Sequence, residues 1–519
     1  MTGKEAAKDM DVASEDEMGR DGMLTLCLPL LSEQDPLFHK KKKLSDARGL
    51  SFKFRIKVPS SREEVLQVLN QIVWTARIVH LNEVELYFAE DDNVGPFSPR
   101  NELESLHEVL QIVKSLLLNA KAQSIEVLQI LFNQTCGMIN GVGAQNIVER
   151  ITDQFDATAE ESLLKWGQSH GAATKLRIAY FEGAGRGAVA TENLSIGDTA
   201  LEIPESLIIS EDVLCESDMN GVFRELEGIS ADTMLLLWSM RERYNSESRF
   251  RFYFETLPEE FHTGLSFGID ALTAVEGTLL FEELMQAKEH LRQQYDELCP
   301  AFMKVVLSDG KLKTCLIPIA GFLNHSICPH IIHYGRVDLS TKSLKFQLSR
   351  PCKRGEQCYL SYGNFPGSHF VTFYGFLPKG DNPYDVIPLD IDAPLAEDIS
   401  AQSASGWTTH MVRGTWLSKN KEHPLNGFPP LLSHLRAIIE DAENQPPPGI
   451  SRKDEIERAL IETIISIFNP MMESLGNSDD FDREKSSWDV KLALNYKDLQ
   501  KRIISSILAS CDIALQMLS

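Results

Sequence analysis

Apolar and polar residues alternate in the segment SFKFRIKV (51–58), which is the pattern of a strand with one buried face. Shortly afterwards Ser61 stands three residues before Glu64, the spacing of a capping box at the start of a helix. Apolar residues then recur at helical spacing in two runs between about 102 and 138. These patterns predict a small mixed α/β domain over residues 51–150.

The pattern changes after a predicted helix near 158–170. The segment 175–210, KLRIAYFEGAGRGAVATENLSIGDTALEIPESLIIS, indicates a strand, a glycine turn, a second strand, another turn and a third strand. Residues 211–305 then show mostly helical spacing, and short apolar runs typical of strands return from about 315 to 376. The middle of the chain is therefore predicted to be β structure interrupted by a helical insert.

The last part of the chain, from about residue 385, is first rich in loops and then helical. Helical spacing is found over 430–445, 452–475 and 488–517, and NQPPPGIS forms a linker between the first two helices. We therefore expect an all-α C-terminal domain over residues 385–519.

The N-terminal 50 residues are polar, charged and poor in aromatic side chains, which predicts an acidic, disordered segment. Its one basic run, HKKKK (39–43), is expected to lie in a solvated loop. A nuclear address and a patch for an anionic surface are the alternatives for this run.

The composition of the 519 residues is that of an ordinary globular protein, with 43% hydrophobic and 24% charged residues. A net charge of −24 argues against broad contact with the phosphates of nucleic acid. Nine scattered cysteines without a CxxC pair indicate a reducing compartment. Because no signal peptide, transit peptide or membrane span is evident, we expect a cytoplasmic or nuclear protein.

The glycine turn EGAGRG (182–187) has two open interpretations. A dinucleotide-binding loop needs GxGxxG followed by a helix, whereas here the spacing is GxGxG and a strand follows. The turn is therefore either a plain hairpin or a glycine-lined main chain that a ligand can approach closely.

The segment AGFLNHSICPHIIHYG (320–335) concentrates side chains that could bind a metal or act as a nucleophile with its base. In an extended segment, however, its three histidines and Cys328 would leave the chain on opposite faces. A convergent metal site or a Cys–His pair is therefore disfavoured, and we predict no metal. Each histidine alone is expected to be a satisfied, partly buried side chain.

The segment CYLSYGNFPGSHFVTFYGF (358–376) contains two Tyr-Gly pairs twelve residues apart. An aromatic core at strand spacing is the simpler interpretation. A narrow passage with aromatic walls is the alternative, because each phenol would stand beside main chain that glycine leaves uncovered.

Taken in order, these segments resemble the SET-domain protein methyltransferases of the class typified by the Rubisco large-subunit lysine methyltransferase. The resemblance runs from about Leu163 to the C-terminus and includes similarity of LALNYKDLQKRIISSIL (492–508) to a long helix of the substrate-binding domain of that class. The matching motifs are Glu182-Gly183-Ala184-Gly185, ATENLSIGD, SRFRFYFETLP (248–258), PIAGFLNHS (318–326), Tyr362-Gly363 and Tyr374-Gly375-Phe376.

The resemblance implies an α+β fold in which a SET β-fold carries a helical insert. The domains expected on this basis are a disordered acidic N-terminus (1–50), a small mixed α/β N-terminal domain (51–150), a SET domain (155–380, with the insert at about 211–305) and an all-α domain of the substrate-binding type (385–519).

The resemblance also implies a cofactor, S-adenosyl-L-methionine, and a set of site residues. Tyr362 is expected to be the catalytic tyrosine, which orients the acceptor nitrogen, and Tyr374 is expected to line the substrate channel. The residues expected to contact the cofactor are Glu182, Gly183, Ala184, Gly185, Asn324, His325, Tyr362 and Phe376.

The implied activity is methylation of a lysine in a non-histone protein substrate by a monomeric enzyme, without contact with nucleic acid or a membrane. A lysine with an ordinary pKa near 10.4 must lose its proton first, at a cost of roughly 4–5 kcal/mol at pH 7. An aromatic channel and the sulfonium of the cofactor both favour the neutral amine. In-line transfer then depends mainly on positioning.

The sequence departs from the class pattern at several positions. Gly321 stands where the class usually has Asp, and the region NFPGSH replaces the expected Ser-Asn. The arginine that commonly contacts the cofactor carboxylate in this class is missing, because no arginine occurs between Arg292 and Arg336, and Lys304 is the candidate substitute. Two alternatives therefore stay open: a catalytically inactive SET-like scaffold that binds proteins, and a protein-histidine methyltransferase.

Overall fold

Strand pairing begins close to the N-terminus, where Met23–Cys27 lies antiparallel to Lys53–Lys57. The computed structural model divides the chain into two compact units, Met1–Leu86 with Phe97–Asn146 and Tyr87–Pro96 with Ile147–Ser519. The residues that the structure describes are 22–89, 97–143, 150–152, 156–221, 230–293, 303–389, 407, 409–418, 425, 429–441, 451–476 and 481–518.

The first unit packs helices beside this strand pair. Ser61 caps the helix Arg62–Val79 by accepting a hydrogen bond from the Glu64 N–H. The Glu64 carboxylate accepts a hydrogen bond from the Ser61 N–H, so the predicted capping box is confirmed. The helices of the unit are Phe38–Ala47, Arg62–Val79, Glu83–Tyr87, Pro99–Leu118 and Ile125–Gly141.

The prediction of disorder for residues 1–50 is wrong over 22–50, and residues 1–21 lie outside the described residues. Leu24 and Leu26 point into the core of the unit from the first strand, because alternate residues of a strand share a face. The basic run 39–43 lies in the helix Phe38–Ala47 and not in a loop. The run was predicted to be solvated, but Lys41 is buried in this helix. A lysine can belong to a core when its ammonium has hydrogen-bond partners, as that of Lys41 does.

The second unit is built around a four-stranded antiparallel sheet. Its strands are, in spatial order, Ala173–Thr174, Thr199–Pro204, Ser343–Gln347 and Val337–Asp338. Leu344 lies opposite Ile203 and Phe346 opposite Leu201, and all four side chains are buried. The smaller strand pairs are Leu176–Phe181 with Gly185–Ala190, Met303–Val306 with Leu312–Cys315, and Val386–Leu389 with His410–Arg413.

Helices enter and leave this β structure in the predicted order. The helix Thr158–Ser169 precedes the sheet, and the insert contains Glu211–Cys215, Ala231–Glu242, Arg251–Glu255, Ile269–Ala274 and Leu279–Gln293. The C-terminal helices are Pro429–Asp441, Arg452–Ser474 and Trp488–Met517. The fold is therefore α+β with a helical insert and a helical C-terminal region, as predicted.

Two details of the prediction are wrong. The C-terminal region is not purely helical, because it contains the strand pair formed by Val386–Leu389 and His410–Arg413. The run of strands predicted up to residue 376 ends earlier, since Gly367–His369 begins a helical segment that continues as the π-helix Phe370–Tyr374.

Among the described helices, none is both long enough and apolar enough to cross a membrane.

Candidate functional site

The glycine turn 182–185 joins the strands Leu176–Phe181 and Gly185–Ala190, whose register pairs Phe181 with Gly185. Gly183 and Gly185 have φ angles of +75° and +71°, which residues other than glycine rarely adopt. A Cβ atom at either position would meet no atom within 4 Å, and Glu182 and Ala184 are exposed. The turn therefore offers main chain that an external ligand can approach.

Asn324 ties this hairpin to the segment 320–335. Its amide Nδ2 donates to the Arg186 carbonyl oxygen and to Gln357 Oε1, both at 2.8 Å. Both side-chain amides pack directly against Gly187 of the strand. A Cβ on Gly187 would lie 2.9 Å from Asn324 Nδ2 and 2.4 Å from Gln357 Oε1, so a larger residue would collide with them. Both amide N–H groups of Asn324 are thus used within the protein, so the expected adenine contact falls to its main chain or to Oδ1.

His325 is placed at the centre of an aromatic cluster, which we define as His325, Tyr362, Phe370, Tyr374 and Phe376. The His325 ring stacks on Phe370 with 4.5 Å between ring centroids and lies 5.4 Å from Tyr362. The Tyr362 and Tyr374 rings are 5.0 Å apart, and Phe376 lies 5.4 Å from Phe370. The structure therefore brings together the side chains that the sequence singled out around residues 325, 362 and 374–376.

Hydrogen bonds fix two members of the aromatic cluster. The Tyr362 hydroxyl donates to the Leu323 carbonyl oxygen at 3.0 Å, and the Tyr362 N–H donates to His325 Nδ1 at 3.1 Å. Because Nδ1 accepts, the proton of a neutral His325 ring is on Nε2. The phenol and the imidazole are therefore held relative to each other through both main chain and side chain.

Neither phenol of the aromatic cluster ionises near neutral pH. Burial, with the nearby Tyr374 and Tyr334 hydroxyls, raises the pKa of Tyr362 well above its usual range. Burial, with Tyr334, also raises the pKa of Tyr374 to about 12. Both side chains are consequently neutral hydrogen-bonding groups and cannot serve as bases.

Each tyrosine of the cluster is followed by a glycine that the packing requires. Gly363 has a φ of +133°, and a Cβ there would lie 2.4 Å from the Phe365 ring. Gly375 has a φ of +75° at the end of the π-helix, and a Cβ there would lie 1.7 Å from the His262 carbonyl oxygen. The first Tyr-Gly pair therefore marks a tight local turn against Phe365, and the second marks the close approach of another segment at His262.

Ile319 precedes this region with a φ of +72°, which is unusual for a β-branched residue and indicates backbone strain. Ile319 leads into the 3₁₀ turn Ala320–Phe322. The residue after this turn, Leu323, has the carbonyl oxygen to which the Tyr362 hydroxyl donates. A Cβ on Gly321 in this turn would meet nothing within 4 Å, so an aspartate would fit there.

Lys304 lies on the strand Met303–Val306, and its side chain is not among those that the structure describes.

Arg186 joins the hairpin to two other elements. Its guanidinium donates to the buried Glu160 carboxylate at 2.8 Å and to the Thr256 carbonyl oxygen at 2.6 Å, and it lies 5.3 Å from the centroid of the Phe322 ring. The helix Thr158–Ser169 and the insert are thereby fastened to the strand that carries the glycine turn. Neither Arg186 nor Phe370 was predicted as a site residue.

Cys328, His330 and His333 were predicted to lie in strands, but they lie in irregular structure. Within the described residues, one group of ligand-type atoms is close enough for a metal: those of His330, Cys352 and Cys358, which lie within 4.8 Å of one another. His330 Nδ1 accepts from the Tyr359 N–H at 3.0 Å, so Nε2 carries the proton of the neutral ring. Binding a metal at Nε2 would require loss of that proton.

Comparison with known proteins gives a family match over the central region. Residues 185–363 match the family model of the SET domain. The ribulose-1,5-bisphosphate carboxylase/oxygenase large subunit N-methyltransferase of Pisum sativum is 25% identical over 275 residues, which cover 46% of this chain and 55% of the relative. The actin-histidine N-methyltransferase of Gallus gallus is 23% identical over 288 residues, or 48% of either chain.

The chain spans about half the length of the curated relatives that it matches. A solved structure described as Rubisco LSMT bound to AdoMet is 17% identical, with a TM-score of 0.49 over 70% of this chain and 93% of that chain.

Proposed function

From the premise that residues 185–363 form a SET domain, we propose that the protein is an S-adenosyl-L-methionine-dependent methyltransferase acting on a lysine side chain of another protein. The observation that carries this proposal is the aromatic cluster, in which two neutral phenols pack together with an oriented histidine. The residue before this histidine, Asn324, is hydrogen-bonded to the hairpin that carries the open glycine turn. The names of relatives support the reaction class, since they include lysine and histidine methyltransferases.

The residues present fit such a cofactor. The exposed turn 182–185 lets a ligand reach main-chain N–H and C=O groups, and the Asn324 bond to the Arg186 carbonyl keeps the hairpin beside the aromatic cluster. The main chain of Asn324 and His325, together with the Phe376 ring, would contact the cofactor. When bound, S-adenosyl-L-methionine supplies an electrophilic methyl group and a positive charge.

The aromatic cluster prepares the acceptor. A lysine ammonium that enters between its rings would lose solvation, so its pKa would fall, which favours release of its proton to solvent. Tyr362 stays protonated and uses its hydrogen to contact the Leu323 carbonyl, so its oxygen lone pairs remain available to an N–H of the amine. Tyr362 is thus expected to orient the nitrogen and not to remove its proton.

The function is tested in two stages with the purified full-length chain. Calorimetric titration with S-adenosyl-L-methionine is expected to show one site, and absence of binding would favour the inactive scaffold. Incubation with methyl-labelled cofactor and a cell extract is then expected to label protein, and hydrolysis of the label to methyllysine or methylhistidine identifies the acceptor.

The role of Tyr362 is tested by Tyr362→Phe, which removes one hydroxyl and keeps the ring. We expect cofactor affinity to be retained and labelling to fall by about 10²-fold or more, because loss of one positioned hydrogen-bonding group has costs of that order. Tyr244→Phe is the matched control, since Tyr244 is 87% exposed and outside the cluster. Undiminished labelling by Tyr362→Phe would contradict the assignment.

A further inference from the structure

A cavity of about 240 Å³ lies beside the helical segment 367–374, which contributes Ser368 to its wall. It is far larger than the roughly 10–15 Å³ that one water molecule needs. Much of its wall is apolar, with contributions from Leu279, Val386, Ile387, Leu499 and Ile503. We call it the acid-lined cavity, because its wall also contains Glu283 and Asp385.

The two carboxylates have no basic partner in the wall. None of the described residues that line the cavity is lysine, arginine or histidine. Asp385 Oδ1 accepts from the Gly367 N–H at 2.6 Å and from Asn382 Nδ2 at 3.2 Å, which fixes the group without neutralising it. Burial is the main cause of the raised pKa of both groups, and it brings the pKa of Asp385 to about 6. A cation in the cavity would therefore relieve an existing electrostatic cost.

Hydrogen-bond donors complete the wall. Gln500 is 3% exposed, and its Oε1 accepts from the Leu279 N–H at 3.1 Å, which holds the amide in place and leaves the Nε2 donors for an acceptor in the cavity. Tyr496, also buried, lines the cavity as a neutral phenol, since burial raises its pKa well above the usual range.

These features select one class of ligand. A purely apolar ligand would leave the carboxylates unpaired, and an anionic ligand would be repelled by them. An aliphatic chain ending in a cation satisfies the apolar wall and the carboxylates together, while a peptide carbonyl next to that chain can accept from Gln500. Lysine and arginine in a protein segment have this combination of groups.

We propose that the acid-lined cavity binds the basic side chain of a protein segment. Assigning that segment to the methylated substrate rests on the proposed function, and binding itself does not. Pro366 and Ser368 line the cavity, and Phe370 and Tyr374 of the same helical segment belong to the aromatic cluster. A basic residue in the cavity would thus place a neighbouring part of the same substrate near the cluster.

The binding is tested on the full-length chain without cofactor, using n-propylguanidinium and n-butylammonium as probes at 150 mM salt. Saturation-transfer NMR and calorimetric titration are expected to show saturable binding of at least one cation. The two probes separate arginine-like from lysine-like recognition. Neutral n-butanol is expected to bind at least tenfold more weakly, and equal binding of n-butanol would overturn the proposal.

Glu283→Gln removes one charge from the wall at constant size, and we expect it to weaken cation binding about tenfold or more. Glu282→Gln is the matched control, because Glu282 is the exposed neighbour of Glu283 in the helix Leu279–Gln293 and does not line the cavity. Circular dichroism verifies the fold of each variant. Equal affinity of Glu283→Gln and the unmodified protein would overturn the proposal.

The outcomes distinguish this inference from the proposed function. Cation binding without any transfer of label would contradict the methyltransferase proposal and leave the cavity assignment standing. Transfer of label without cation binding would contradict the cavity assignment alone.

Discussion

Gly363 and Gly375 follow the two tyrosines of the aromatic cluster, and each allows another group to approach the main chain. At Gly375 the neighbour is main chain, because the missing Cβ would lie 1.7 Å from the His262 carbonyl oxygen. At Gly363 it is the Phe365 ring, which is a side chain and can turn aside more easily. Gly375 is therefore the more demanding position.

Gly375→Ala should destabilise the second unit more strongly than Gly380→Ala. Both glycines have positive φ, at +75° and +92°, so alanine has a similar backbone cost of about 1 kcal/mol at either one. Only Gly375 has a contact that the new methyl group would violate, since Gly380 has nothing within 4 Å. Urea unfolding should show the larger loss for Gly375→Ala, and equal losses would contradict the contact.

Sequence reasoning singled out side chains that the structure brings together, and their tasks stay predictions. His325, Tyr362, Tyr374 and Phe376 were predicted from motif positions, and they meet in one aromatic cluster. Phe370 was missed because no local pattern separates a phenylalanine that stacks on a histidine from one in the core. The two hydrogen bonds that the Asn324 amide donates go to Arg186 and Gln357, which are both distant in sequence, so no spacing could indicate them.

At the scale of elements, the helix Phe38–Ala47 shows how a run of four lysines can be structural. Lys41 is 5% exposed, and its ammonium donates to Asp35 Oδ2 at 2.7 Å and to the Val79 carbonyl oxygen at 2.8 Å. Lys43 in the same helix is exposed. One lysine of the run therefore fastens the helix Phe38–Ala47 to the end of the helix Arg62–Val79.

Lys41→Ala should lower the free energy of unfolding of the first unit by about 1–3 kcal/mol, because it leaves Asp35 and the Val79 carbonyl without their donor. Lys43→Ala is the matched control, since it makes the same chemical change in the same helix on a side chain in water. We expect that variant to stay within about 0.5 kcal/mol of the unmodified protein. Equal unfolding midpoints of the two variants in urea would show that Lys41 is not structural.

Elements with a long, regular pattern were predicted well. The capping box at Ser61 and the helical spacing of 488–517 correspond to the helices Arg62–Val79 and Trp488–Met517. Prediction failed where composition outweighed pattern, as in residues 22–50, whose short strand and helix are stabilised by contacts with residues farther along the chain. It also failed for Gly367–Tyr374, a segment too short to show periodicity.

At the scale of the whole molecule, the two compact units differ in what they contain. The first unit holds the strand pair and helices of the N-terminal region, and the second holds the SET-domain match, the aromatic cluster and the acid-lined cavity. The second unit also takes in Tyr87–Pro96, whose residue Tyr87 contacts His410 Nδ1 at 3.2 Å. Sequence patterns are local, and they did not predict that this short segment belongs to the second unit.

Calorimetric heating is expected to show that S-adenosyl-L-methionine stabilises the second unit only. At 100 times the dissociation constant, a ligand specific for the folded state adds about 2.7 kcal/mol, enough to raise the unfolding temperature measurably. Lys41→Ala identifies the transition of the first unit, because it should lower that transition alone. A cofactor-dependent shift of the transition so identified would contradict the assignment of the site.

The helical segment Gly367–Tyr374 turns Ser368 towards the acid-lined cavity and Phe370 and Tyr374 towards the aromatic cluster. A shared wall provides a route for thermodynamic linkage between the two sites, and any such linkage is reciprocal. If a basic side chain tightens cofactor binding tenfold, bound cofactor must tighten the hold on that side chain tenfold, a coupling free energy of about 1.4 kcal/mol. Under the proposed function, the protein would then hold its substrate most firmly while a methyl donor is present and release it more readily once the donor has left.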